Sequence, residues 1–239
     1  NYSGFYTQNT LGVDTRDIAN NGWNDQTSPS SSATWTGAPV PNDNFTITHK
    51  RQGFPCGKYQ IVMSNWDDKA ILYINDVQQW VVNGYSGGSF TLPGTFNLNK
   101  NSKVELRLKE GGGAAGIKMT LINMPLIQNG TNWVDGVPNN ETGIRIDNNY
   151  TISNDMVVCS CTVSAGKTLT IDEGKTLTIL ENIIVEAGAK IIVENNGSLV
   201  QIDDNATYTG SIDSFEMKRK TQPVFRLDYT YWSSPVKEN

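Results

Sequence analysis

The sequence predicts an all-β protein: an antiparallel β-sandwich of jelly-roll-like character followed by a short parallel β-helix. Three observations predict it. Short runs such as Ala70-Ile-Leu-Tyr-Ile74 and Val104-Glu-Leu-Arg-Leu108 alternate apolar and polar residues with the period of a half-buried strand. Few segments carry a sustained helical period, and 22 glycines with abundant Asn, Thr and Ser supply many turns. After residue 160, glycines recur before β-rich runs: Gly166 to Gly188 is 22 residues and Gly174 to Gly197 is 23.

Taken in order, residues 1–43 are dotted with aromatics but lack regular pattern, and Ser28-Pro-Ser-Ser-Ser-Ala33 reads as a loop, so the sandwich proper is expected to start at Phe45. Strands are predicted at 45–50, 58–64, 70–75, 79–83, 89–92, 103–108 and 116–122, separated by turns rich in Gly, Asn, Asp or Pro. Met124-Pro125 breaks the pattern. The domains are therefore set at 1–126 for the sandwich, 127–137 for a linker and 138–239 for the β-helix. In that last part Lys167–Ile171, Lys175–Ile179, Lys190–Val193 and Ser198–Ile202 are expected to stack as coils, with Leu169, Ile171, Leu177, Ile179, Ile192, Leu199 and Ile202 in one core. A second antiparallel sandwich is the alternative for this half.

With 239 residues, 37% of them hydrophobic and 18% charged, the chain can bury a substantial core. A net charge of −5 offers no basic stripe to neutralise phosphates, which argues against nucleic acid as a partner. The one basic run, Lys218-Arg-Lys220, reads as a solvated loop. No apolar stretch approaches the roughly 20 residues a membrane helix needs, so membrane insertion is not expected. The chain opens at Asn1 without a Met, which suggests a processed or truncated N-terminus rather than a cytosolic start, and the expected location is extracellular or at the cell surface. Cys159 and Cys161 are too close in a strand to bond each other without distortion, and Cys56 falls in the other predicted domain. Buried or free thiols are the expectation, with one disulfide as the other reading. Six Asn-x-Ser/Thr sequons are readily accounted for by an Asn- and Thr-rich composition.

Two acidic, oxygen-rich loops stand at strand ends: Asp67-Asp68 precedes the 70–75 strand, and Glu110-Gly-Gly-Gly-Ala-Ala-Gly116 follows the 103–108 strand. If these strands are neighbours, the loops meet at one end of a sheet, where carboxylates and carbonyls suit a hard cation. Together with Phe45-Thr-Ile-Thr48, Gly57-Lys-Tyr-Gln-Ile61 and Leu72-Tyr-Ile74, these residues make 1–125 resemble the protective-antigen fourteen-kilodalton domain family, the β-sandwich shared by anthrax protective antigen, yeast flocculins and bacterial surface proteins. Lys69 stands where family members carry Gly after the doublet, and Asn75-Asp76 where many have Asp-Gly. The resemblance implies a cis-joined doublet whose Asp67 and Asp68 carboxylates hold Ca²⁺, with Glu110 and the carbonyls of Gly112 and Ala114 as further ligands. It also implies a glycan or cell-surface polysaccharide as partner, with Trp66 and Tyr85 as ring platforms. Trp80 and either Trp23 or Trp35 could serve the same role, Trp80 reading better as core.

From Trp133-Val-Asp-Gly-Val-Pro138 to Asp228-Tyr-Thr-Tyr-Trp-Ser-Ser-Pro235, the sequence resembles segments of large surface proteins exported by gliding, type IX-secreting Bacteroidota, which adds the secretion machinery as an expected partner. Enzymatic chemistry is not expected. The single histidine, His49, lies in an alternating strand, and Asp172-Glu173 and Asp203-Asp204 fall at predicted coil corners. The functional expectation is thus an adhesin-like, calcium-dependent glycan binder carried on a β-helical stalk. The alternative is a structural or accessory segment of a large secreted protein or polysaccharide-degrading enzyme.

Overall fold

A computed structural model describes residues 10–14, 26–33, 35–221 and 223–226. The first half is a sandwich of strands β1 (Thr10–Asp14), β2 (Thr46–Gln52), β3 (Gly57–Asp67), β4 (Lys69–Ile74), β5 (Val77–Val82), β6 (Ser86–Thr91), β7 (Phe96–Leu98), β8 (Lys103–Lys109) and β9 (Gly116–Asn123). One antiparallel sheet runs β2-β8-β4-β5; the other runs β1-β9-β3-β6, with β7 also on β3. Their inner faces share one core, to which β3 gives Tyr59, Ile61 and Met63, β8 gives Val104, Leu106 and Leu108, and β9 gives Ile117, Met119 and Leu121. The alternation read from the sequence is the alternation of burial, as in Lys69–Ile74, where Ala70, Leu72 and Ile74 face in.

Two sandwich strands were not legible in the sequence. β1 precedes the expected start at Phe45 and pairs antiparallel along β9, from Thr10 opposite Thr120 to Asp14 opposite Gly116. The three-residue β7 is too short to show a period. Asn75, expected as the last residue of the 70–75 strand, instead forms with Asp76 the two-residue connection of the β4–β5 hairpin, both at positive φ (50° and 65°), a conformation that Asn and Asp tolerate better than most side chains.

The second half is a parallel β-solenoid of about four turns. It contains β10 (Leu126–Gln128), β11 (Trp133–Val134), β12 (Gly143–Ile146), β13 (Tyr150–Ile152), β14 (Met156–Val158), β15 (Ser160–Val163), β16 (Thr168–Ile171), β17 (Thr176–Ile179), β18 (Ile183–Val185), β19 (Lys190–Val193), β20 (Ser198–Gln201), β21 (Tyr208–Thr209) and β22 (Phe215–Met217). Three sheets form its faces: β11-β10-β12-β15-β18-β21, β13-β16-β19-β22 and β14-β17-β20. The segment 127–137, expected as a linker, carries most of β10 and all of β11, and β10 lays the first parallel rung against β12.

The repeat is 22 residues on all three faces of the central coil: Cys161 lies opposite Ile183, Leu169 opposite Ile191 and Leu177 opposite Leu199. Its corners are four-residue turns closed by Lys167, Lys175, Ala189 and Gly197 N–H groups on the Ser164, Asp172, Glu186 and Glu194 carbonyls. The third position of each turn is left-handed: Gly166, Gly174 and Gly188 at φ 68–69°, and Asn196 at 59°. Asn196, not Gly197, is therefore the counterpart of Gly174, and the 23-residue interval read from the glycines is corrected to 22. Asn tolerates this conformation because its short amide can hydrogen-bond locally.

Parity also corrects the core. Ile191 and Val193 point inward, whereas Ile192 packs outward opposite Thr170, and Ile202 is 55% exposed just past the end of β20. Leu169, Ile171, Leu177 and Ile179 are fully buried as expected, and Leu199 is partly buried against them.

The halves are bonded together. Cys56 and Cys159 form a disulfide with a Cα–Cα separation of 5.7 Å, which replaces the expectation of three thiols; Cys161 alone stays reduced, buried in the solenoid. The Cys56 N–H donates to Glu181 Oε2 at 2.8 Å, and the Ser160 hydroxyl donates to the Cys56 carbonyl at 3.2 Å. Gly143 makes room for this approach, since a Cβ there would lie 2.7 Å from Ser160 Oγ.

Candidate functional site

The candidate site is the acidic end of the sandwich, where the β3–β4 connection meets the loop after β8. β8 continues its inward parity past Val104, Leu106 and Leu108 to Glu110, which is completely buried. That places a carboxyl group at the mouth of an apolar core. Neither Glu110 oxygen has a hydrogen-bond partner by strict geometry. Burial first, then the Asp68 charge, pushes its pKa up to about 7; Asp67 and Asp43 add to the rise, and the nearby Gly112 amide partly offsets it. The backbone N–H of Glu110 is satisfied by the Phe45 carbonyl at 2.9 Å.

Around Glu110, side chains hold the glycine loop. Asp68 Oδ2 accepts the Gly111 N–H at 2.7 Å, and Asp43 Oδ1 accepts the Gly113 N–H at 3.2 Å. A Cβ at position 111 would sit 2.9 Å from Asp68 Oδ2, so glycine there lets the carboxylate approach without shifting. The Asp67–Asp68 peptide is cis. Lys69 opens β4 on the side opposite Ala70, so its stem points away from the sandwich interior.

The structure thus gathers Asp67, Asp68 and Glu110 with the exposed Gly112 and half-buried Ala114, all expected from the sequence. Asp43 is the member that sequence reading missed, because it lies in a segment without strand pattern. Among the described residues, no three His, Cys, Asp or Glu side chains already stand in a metal-binding arrangement. The oxygens gathered there are carboxylates and carbonyls, with one carboxyl buried and unpartnered.

The expected ring platforms are separated. Asn65, at φ 53°, sits in a β-bulge of β3 that shifts the register between Ser64 and Trp66. Trp66 is then half-buried against the sandwich core, its ring 5.4 Å edge-on to Trp80, which stacks at 6.5 Å on Phe90. These three rings close the side of the sandwich between the edge strands β5 and β6. Tyr85, at 65% exposure, stands free of that stack. Trp35 ties itself to the Ala38 carbonyl at 3.2 Å, and Trp23 lies outside the described residues, as does the Asp228–Pro235 run. His49 has its Nε2 buried without a partner and its pKa lowered by desolvation, as befits a neutral structural imidazole.

Residues 127–239 match a family model described as a domain of unknown function (DUF8693). Among curated proteins none matches this chain. Solved structures similar to it include a ruminal GH26 endo-β-1,4-mannanase, at 14% identity over 51% of this chain with a TM-score of 0.28. They also include a GH87 α-1,3-glucanase catalytic domain in complex with nigerose, at 10% identity over 66% of this chain and TM-score 0.21. A thermostable GH87 α-1,3-glucanase from Streptomyces thermodiastaticus strain HF3-3 aligns at 8% identity over 90% of this chain, again with TM-score 0.21. The chain spans 28% of the mannanase's length, 43% of the first glucanase's and 64% of the second's. At these TM-scores the likenesses carry no inference about activity.

Proposed function

We propose that the sandwich is a calcium-dependent glycan-binding module of the protective-antigen type, carried on the solenoid as a stalk within an exported, adhesin-like surface protein that has no catalysis of its own. One observation carries this reading: the buried, unpartnered Glu110 carboxyl, its ionisation opposed by Asp68, Asp67 and Asp43. Carboxyl groups of Asp67, Asp68, Glu110 and Asp43 crowded at one pole raise one another's cost of ionisation, which a hard divalent ion would relieve. Asp67, Asp68, Glu110 and the carbonyls of Gly112 and Ala114 would hold it. Ca²⁺ takes 6–8 oxygens, and water or a vicinal pair of sugar hydroxyls would complete the shell. Tyr85 is the exposed ring available to a sugar face, while Trp66, next to the doublet in sequence, packs on the sandwich core. A shallow site of this kind binds sugar weakly, at about millimolar Kd or about −4 kcal/mol, so useful adhesion comes from many copies.

The test is a glycan array probed with the multimerised full chain, once with Ca²⁺ and once with chelator, beside thermal melts in the same buffers. Calcium-dependent glycan binding together with a chelator-sensitive melting temperature that Asp68→Ala abolishes is the expected result. Identical melts with and without chelator would sink the ion, and hydrolysis of any glycan on the array would sink the non-enzymatic reading. The structural-segment alternative draws on Asp68 and Asp43, each of which already satisfies a loop amide without any ligand. It wins if neither melt nor array responds to calcium.

A further inference from the structure

A cleft of about 660 Å³ runs between the sandwich and one edge of the solenoid, and none of the acidic-pole residues lines it. One wall is the end of β7 and the start of its connection to β8, Asn97 to Asn101; the other is a stack of solenoid corners, of which Glu181 and Asp203 occupy successive coils. Its size falls within the roughly 300–1,000 Å³ typical of small-molecule sites, which favour domain junctions. We propose that this cleft is a second binding site, for an uncharged saccharide.

The walls are held apart and in register before any ligand arrives. The Cys56–Cys159 disulfide closes one part, with Cys56 itself lining the cleft. Asn97 Nδ2 donates to Glu141 Oε2 at 2.6 Å, and Lys100 Nζ meets Asp203 Oδ2 at 2.7 Å across the gap. A preformed site avoids the ordering cost that weakens binding by mobile loops.

The lining chemistry selects the class. Glu141, Glu181, Asp203 and Asp204 face a single ammonium, Lys100, which is itself engaged by Asp203. Glu141 and Glu181 each commit only Oε2 to protein partners, which leaves Oε1 of each as an acceptor. Carboxylate oxygens accept from ligand hydroxyls and repel ligand carboxylates or phosphates, while side-chain amides such as Asn101 both donate and accept. Leu180 and the half-exposed Ile202 add an apolar strip for the C–H face of a sugar ring. Excess acceptors, paired amides and an apolar strip match a polyhydroxylated, uncharged ring and exclude a uronate.

The experiment titrates the full chain, in chelator so that no ion occupies the acidic pole, with maltohexaose, xylohexaose, mannohexaose and hexagalacturonate by calorimetry and saturation-transfer NMR. At least one neutral hexasaccharide is expected to bind and hexagalacturonate is not. Ile202→Arg, which fills the cleft from an exposed position, should weaken binding at least tenfold, whereas Asp68→Ala should leave it unchanged. Asp204→Arg is the second variant, expected to act in the same direction should Ile202→Arg melt abnormally. Absence of binding by all three neutral probes overturns the site. So does equal binding of hexagalacturonate, or binding that survives both cleft variants. Because every arm is free of calcium, the result stands apart from that of the acidic pole.

Discussion

The two halves of this chain solve the same problem, a β core with two faces to satisfy, in opposite ways. In the solenoid each coil repeats the last, and even the corners are closed by side chains: Asn149, Asp155 and Asn182 each accept a backbone N–H from the next coil. In the sandwich irregularity collects at one end, where a bulge with left-handed Asn65 leads into the doublet that holds the loop of the unpartnered, buried Glu110 carboxyl. Repetition satisfies polar groups at nearly every position, so the solenoid is built for stability and reach. Local exceptions to the pattern mark where stability has been given up for something else, and here they coincide with the candidate site.

Cavities in the solenoid core should have the largest effect. Leu177→Ala in the solenoid core should cost about 2–5 kcal/mol in urea unfolding, because the stacked coils on either side cannot collapse into the space. Outward-facing Ile192→Ala should cost well under half of that, and equal costs would show that the parity assigned here is wrong.

Reduction, or the paired change Cys56→Ser with Cys159→Ser, opens a link between residues 103 apart in sequence. The expected loss is about 2–4 kcal/mol, read as a lower melting temperature and as two separated transitions where the bonded chain shows one. Coincident transitions in the reduced protein would mean that the remaining hydrogen bonds suffice to couple the halves.

The acidic pole gives a smaller effect whose sign distinguishes it from the rest of the molecule. Glu110 has its pKa raised from 4.5 to about 7, so its neutral form is favoured by folding; that stability is fully present below about pH 4.5 and lost as pH rises through about 7. In chelator at pH 8, Glu110→Gln should therefore be more stable than the parent by about 1–3 kcal/mol, and the advantage should vanish by pH 4.5. His49 acts in the reverse sense. Its pKa is lowered by burial, so the stability of its neutral form is lost as pH falls below the ordinary imidazole range. A Glu110→Gln difference independent of pH would remove the titration of Glu110 from the account. Smallest of all, Lys100→Ala removes a solvent-exposed ion pair and should barely move the melting temperature.

Period and turn chemistry made much of this protein legible in its sequence. Alternation placed seven sandwich strands to within a few residues, and glycine spacing revealed the coils. These features are local: strand alternation has a period of two, and left-handed turns restrict which residues can stand in them. The acidic doublet and Glu110 were also visible as residue types, and the parity of Val104, Leu106 and Leu108 points Glu110 inward once β8 is known to be buried on that side. What sequence could not decide depends on partners distant along the chain. β1 is recognisable only by its pairing with β9, Asp43 joins the acidic pole only because Gly113 comes to it, and Trp66 turns inward because one bulge reverses parity. Cys56 finds Cys159 across 103 residues because the solenoid edge docks against the sandwich. Such contacts are set by how two folded surfaces meet, which no local pattern of hydrophobicity or turn residues encodes.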